Sequence, residues 1–360
     1  MKVLFLFLSS FLLMIFVGCS KKVVQPEQTM VFPPFSDSPK ILYLETYRGG
    51  LEKAEPISAL DVFLGDEGSK KVQSNIIKPY GVGLQNGKVY AVDTGSDVVF
   101  IMDEKTRQVE YLGAGVYGGL SSPVSIAFDA NKTSYVSDTR QKKIFGYDTK
   151  GKLKFALGSR LMFTAPTGIA IDKKLNRLYV VDTKAHNFKA YDIATKKHLF
   201  SVGKRGKGEA EFNYPTNIAV DQRNGNIVIV DTQNFRAQIF DKNGNFISIF
   251  GGIGDKPGTF ARPKGVGIDS EGNIYVTDSA FNNIQIFDET GTKYLMYFGG
   301  GGYGPTQFRL ITGIYIDEND KIVIADGFTG RVQTFQYLSE KWKKNNQKKY
   351  NELKEFKPEK

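Results

Sequence analysis

The stretch "IVIVDTQNFRAQIFD", residues 227–241, ends an Ile/Val run with an Asp-Thr pair and opens a second apolar run with an arginine. A carboxylate beside a hydroxyl reads either as chemistry or as a turn. Recurrence decides between them. "VYAVDTGSDVVFIMD" ends at Asp103, "SYVSDTRQKKIFGYD" at Asp148 and "LYVVDTKAHNFKAYD" at Asp192. "IYVTDSAFNNIQIFD" ends at Asp288 and "IVIADGFTGRVQTFQ" at Gln336. The first acid of each copy falls at Asp93, Asp138, Asp182, Asp231, Asp278 and Asp326, with gaps of 45, 44, 49, 47 and 48 residues. A period of this length marks a repeat architecture.

Each copy has an upstream partner: "PYGVGL" from Pro79, "PVSIAFD" from Pro123, "PTGIAID" from Pro166, "PTNIAVD" from Pro215, "PKGVGID" from Pro263 and "ITGIYID" from Ile311. Downstream, most copies have another apolar run ending in Gly, as in "KNGNFISIFG" to Gly251. Four short strands per unit follow. In the fourth unit they are Asn217–Asp221, Ile227–Val230, Ala237–Asp241 and Phe246–Phe250. "DQRNGN" and "DKNGN" supply the positive φ angles of tight hairpins. Apolar residues on both faces, as in "IVIV", suit sheets sandwiched between neighbours. Radial stacking of such units is a β-propeller. The expected fold is all-β: six four-stranded antiparallel blades over 40–338. The sixth copy lacks its fourth strand, so "KILYLETY" at Lys40–Tyr47 is expected to close the ring and leave no bare edge. "LDVFLG" at Leu60–Gly65 is the second candidate, and 48–78 form an irregular lead-in.

The combined pattern P-x-G-I-A-x-D … I-Y-V-x-D-T-x-N-x-R-x-Q-x-F-D resembles the NHL repeat over 79–337, best in units four to six. WD-type propellers share the period, and kelch units share paired glycines, but the single Trp lies in the tail at Trp342. The resemblance implies a six-bladed propeller whose loop face binds partners. It also admits a metal-dependent lyase or lactonase with a Ca or Zn ion in the central channel.

Composition agrees with strands and turns: 360 residues, 41% hydrophobic, with 38 Gly, 27 Phe and 18 Tyr. The net charge of +10 is uneven. Residues 339–360 carry eight Lys against four Glu. That basic tail reads as a short helix or a solvated segment, with contact to anionic lipid or glycan as the sharper reading. At the N-terminus an apolar run from Val3 to Val17 is too short to span a bilayer and fits a secretory signal. Phe16-Val17-Gly18-Cys19 resembles a bacterial lipobox, although Phe16 stands where Leu is usual. Cys19, the only cysteine, is then the lipidated residue after cleavage of 1–19. The competing reading is an ordinary signal peptide with an incidental Cys. Ser20 in place of Asp resembles outer-membrane sorting, facing periplasm or exterior. Residues 20–39 hold four Pro and read as a flexible tether.

Six copies of one Asp argue against a catalytic role and for side-chain-to-backbone hydrogen bonds at a turn. The acids ending the first strands (Asp129, Asp172, Asp221, Asp269, Asp317) read as hairpin chemistry too. Two histidines, His186 and His198, are too few for a multi-His zinc site. No cofactor is predicted, with calcium in the channel left open. What remains is a surface. The turns after the repeated Asp offer Arg140, Lys142, Lys184, His186, Phe188, Phe235, Arg236, Phe281, Asn282, Phe328 and Arg331 as a candidate binding face. Arg236 and Arg331 match the repeat's usual Arg, which also serves packing. The expected partner is an envelope protein or polysaccharide, with the membrane reached through the lipid anchor. Nucleic acid conflicts with export.

Overall fold

The computed structural model describes residues 29–34, 36–50, 75–115 and 119–355. The segment read as a secretory signal, with Cys19, and Leu60–Gly65 lie outside them. Alternating apolar residues on both sides of each strand produce six sheets. In blade four the strands are Pro215–Val220, Ile227–Asp231, Arg236–Phe240 and Phe246–Gly251, joined in that order. Blades one, two, three and five repeat this antiparallel order. Each pair of neighbouring blades encloses its own apolar layer; between blades three and four it holds Val181, Phe188, Phe212, Ile229 and Phe240. The chain is a six-bladed β-propeller.

The ring closes as expected. Ile41–Tyr47 pairs with Arg331–Tyr337 as the fourth strand of blade six. Two features differ from expectation. Val31–Phe32, inside the segment read as a tether, adds a fifth strand by pairing with Leu42 and Ile41. The basic C-terminal residues, read as a short helix or a solvated segment, form two helices, α1 (Glu340–Asn345) and α2 (Gln347–Glu355), and these pack on the propeller. Leu338, Tyr350 and Leu353 pack with Val31 and Leu42, so the helices cover the outermost strands of blade six. Burying these few apolar residues outweighs the hydration of a lysine-rich segment, whose charged faces stay in water.

The Gly of "P-x-G-I-A" marks the closest approach of inner strands. A Cβ on Gly81 would lie 2.4 Å from the Val124 carbonyl oxygen, and one on Gly313 would lie 2.4 Å from that of Tyr80. At these positions the ring around the channel is thus packed backbone against backbone.

Candidate functional site

Turns between strands two and three and the blade-to-blade connections share one face, termed here the joint face. Its frame is built from the repeated Asp. All six are fully buried. Asp93 accepts the amides of Ile77 (2.6 Å) and Lys78 (3.0 Å), and Asp182 those of Thr164 (2.9 Å) and Ala165 (2.7 Å). Asp138, Asp278 and Asp326 do the same for Ser121–Ser122, Ala261–Arg262 and Arg309–Leu310. Asp231 accepts from Asn213 N (2.6 Å), Asn234 Nδ2 (2.7 Å) and Arg236 Nε (2.9 Å). Burial pushes its carboxyl up, against the pull of those donors. The neighbouring hydroxyl reaches further. Thr139, Thr183 and Thr232 donate to the carbonyls of Pro166, Pro215 and Pro263 in the next blade, at 2.9, 2.6 and 2.9 Å. The Asp-Thr pair is a joint: its acid holds the connection within a blade, its hydroxyl the following blade.

A second regularity fixes the turns. The fourth residue after each Asp is left-handed: Asp97 (φ 58), Lys142 (54), His186 (55), Phe235 (57), Asn282 (54) and Gly330 (59). Six turns that share this left-handed position therefore carry six different residues there.

On this frame the expected binding residues divide. Arg140, Lys184 and Phe328 are exposed, and Lys142, Phe235, Phe281 and Asn282 are half-buried. Three do not reach solvent as expected. Phe188 is fully buried between Phe212 and Phe240, because it is the second residue of its strand and points between blades. His186 is buried, with its Nδ1 accepting the Tyr214 amide at 3.2 Å and its ring edge-on to Tyr214. Arg331 is 1% exposed; it pairs with Asp326 and donates to the carbonyls of Tyr303 and Gln307. Arg236 is half-buried and fully engaged, reaching Lys207, Gly208 and Glu211 carbonyls. Both arginines hold connections in place, the packing role expected of the repeat's Arg. His198 is exposed on an outer strand.

Two features emerge only in three dimensions. One is a cluster on the joint face, whose residues sequence reasoning offered separately for that face, Phe328 from a turn and Tyr303 and Arg309 from a blade connection. Tyr303 and Phe328 are 62% and 63% exposed, and the Arg309 guanidinium sits 5.0 and 5.9 Å from their ring centroids. The other is a cavity of about 620 Å³ in the channel, walled by inner-strand residues such as Phe128, Ile171, Ile218 and Tyr315. Its charged lining residues, Lys173, Lys174, Arg223 and Glu318, lie on strand one–two turns, so it opens on the opposite face. Lys173 and Glu318 face each other at 3.9 Å there.

The rim carboxylates are engaged by hydrogen-bond donors. Asp269 accepts four hydrogen bonds, from the Glu271 and Asn273 amides, Asn273 Nδ2 and Tyr275 OH, and burial pushes its pKa up to about 6. Asp221 is gripped by Arg223, and Asp317 by the amides of Asn319 and Lys321. Among the described residues no three His, Cys, Asp or Glu side chains form a group able to hold a metal ion. This donor set does not fit a channel metal.

A family model described as a 6-bladed beta-propeller matches residues 269–348. The chain is 27% identical over 130 residues to "Protein brain tumor" of Drosophila melanogaster, covering 36% of this chain and 12% of that one. It thus spans about an eighth of the curated relative it matches. An auxiliary nutrient binding protein from Bacteroides thetaiotaomicron superposes with a TM-score of 0.58 at 14% identity, over 83% of this chain and 76% of the other. A virginiamycin B lyase from Staphylococcus aureus, in a catalytically inactive histidine-to-alanine form with quinupristin, superposes with a TM-score of 0.55 at 13% identity, over 74% and 98%. At these identities the solved structures speak for the fold alone.

Proposed function

We propose that the protein is a non-enzymatic binding scaffold of the cell envelope, lipid-anchored through Cys19. Its joint face engages an envelope protein or polysaccharide. The observation that carries this reading is the frame itself: six turns with the same left-handed position, occupied by six different residues. A constant frame with variable tips is how a rigid scaffold places specificity. The likeness to a nutrient binding protein supports the same reading. A lyase finds less support. A histidine is needed in the lyase it resembles, whereas here His186 is committed to Tyr214 and His198 lies on an outer strand.

Photo-crosslinking in cells tests the face. A photoreactive residue at Arg140 or Lys184 is expected to give a defined adduct, and one at Lys150, on a strand three–four turn of the opposite face, is not. Equal adducts from all three positions, or none from Arg140 and Lys184, would overturn the reading. Palmitate labelling of the wild type, lost in Cys19→Ala, tests the anchor; labelling retained in the variant overturns it.

A further inference from the structure

The cluster of Tyr303, Arg309 and Phe328 carries more than exposure. Its loop is held from below. Buried Arg331, neutralised by Asp326, donates to the carbonyls of Tyr303 and Gln307. Gln333 accepts the Thr306 amide and donates to the Gln307 carbonyl, both at 2.8 Å. The surface above is therefore preorganised rather than a floppy loop. Two rings lie close to the Arg309 guanidinium. Among the described residues no carboxylate pairs with that side chain, so its donors are available to a ligand. A guanidinium's planar fork matches a carboxylate in two parallel hydrogen bonds. Beside the cluster, Gly300 and Gly301 have nothing within 4 Å of where a Cβ would stand, so the backbone there is open to close approach. Arg140, Arg160, Lys184, Arg205 and Arg262 give the same face a cationic surround.

A protein partner is the competing occupant. A stable protein interface buries about 800 Å² per side around an apolar core. The other large apolar residues exposed here, Ile77, Leu161 and Ile253, sit singly on different connections, before blade one and after blades two and four. Isolated apolar residues of this kind are ordinary surface. What is concentrated is a patch about one or two sugar rings wide: aromatic faces to stack on C–H groups, a fork for a carboxylate, and surrounding positive charge for a repeating polyanion.

We propose that Tyr303, Arg309 and Phe328 form a subsite for an acidic sugar unit of a polyuronate polysaccharide, with the carboxylate on Arg309 and the ring against the aromatics. The proposal rests on the reading of the joint face as a binding surface, and names its ligand.

Affinity electrophoresis of the full chain in gels containing polygalacturonate, neutral dextran or poly-L-glutamate tests it. Retardation is expected in polygalacturonate only. Arg309→Ala and Phe328→Ala should each weaken binding at least tenfold, Arg309→Lys should recover little, and Phe328→Tyr should bind as wild type. Both sites are exposed, so unchanged melting temperatures are expected and separate lost binding from lost folding. No retardation in polygalacturonate, equal retardation in poly-L-glutamate, or wild-type binding by Phe328→Ala would each overturn the subsite. Crosslinked adducts at Lys184 without polygalacturonate binding would sink the subsite and leave the scaffold standing. Binding without any adduct would do the reverse to a protein-partner scaffold.

Discussion

Two rings of aspartates run around the propeller, and they do different work with the same residue. On the joint face the acids ending second strands reach amides sixteen to eighteen positions away, in the connection from the preceding blade. On the opposite face the acids ending first strands accept amides only two to four positions on: Thr133 to Asp129, Leu175 to Asp172, Arg223 to Asp221 and Asn273 to Asp269. One ring staples blades, the other finishes hairpins. Burial does not separate them, since most members of both are buried. Reach does. Losing a long-range acid frees a connection, whereas losing a local one loosens a turn.

The largest expected effect tests that contrast directly. Asp231→Ala leaves Arg236 half-buried without its carboxylate and strands the Asn213 amide. Breaking one partner of a buried pair costs roughly 3–5 kcal/mol. Asp221→Ala removes a turn cap and a pair whose arginine is over a third exposed, at a cost of about 1–2 kcal/mol. Urea unfolding of both variants checks the ordering; equal losses would erase the distinction between staples and caps.

Protons sharpen the comparison next. Asp269 has a folded pKa of about 6 against an ordinary 3.8, raised by burial, with Asp320 adding a smaller push. A raised carboxyl pKa means the folded state binds the proton more tightly. Stability from this group therefore grows as pH falls from about 6 toward 4, and is lost as pH rises through 6, by on the order of 2–3 kcal/mol. Asp269→Asn should flatten this part of the stability profile. An unchanged slope between pH 4 and 6 would remove Asp269 as its source.

The sequence made the rings visible but not their reach. Period, strand count and the closing strand Ile41–Tyr47 were legible because hairpin turns and apolar alternation are local signals. The joint was not: Thr232 and Pro263 are distant in sequence and meet only when two blades pack. The candidate binding face was half legible for a related reason. Arg140, Lys184 and Phe328 sit on turns, whereas Phe188 lies one residue inside a strand, and that single step turns it from solvent to core. Arg331 matched a repeat position, but the loop it supports, Tyr303–Gln307, lies 24 to 28 residues upstream in sequence and directly above it in space. The helices over blade six follow from Leu338, Tyr350 and Leu353, three apolar residues among lysines whose partner strand lies at the other end of the chain.

The hydroxyls of the joint give a smaller effect. Thr232→Val keeps the shape and removes the donor to the Pro263 carbonyl, leaving that acceptor without the bond across blades. A cost of about 1 kcal/mol is expected, read as a shift in urea midpoint at constant slope. Thr94→Val should cost less. Its hydroxyl donates to Lys78 in its own blade's lead-in and stays in the more exposed layer. If the two variants cost the same, the link across blades adds nothing to the link within one.

The smallest effect lies at the left-handed position of the joint-face turns. Lys142 holds φ 54 with an L side chain, and its residue type favours a negative φ. The left-handed region costs an ordinary residue roughly 1–2 kcal/mol, and glycine's extra freedom in the unfolded chain takes back about 0.5–1. Lys142→Gly should therefore raise stability by up to about 1 kcal/mol. Gly330, its counterpart in blade six, should not tolerate the reverse change. A Cβ there would stand 2.5 Å from the Ile76 carbonyl oxygen, so Gly330→Ala meets both the φ penalty and the lead-in to blade one. A loss at Gly330 clearly larger than the gain at Lys142, measured by thermal unfolding, would mean that the sixth turn is glycine because the ring closes beside it. Changes of equal size and opposite sign would mean that backbone angle alone sets the residue.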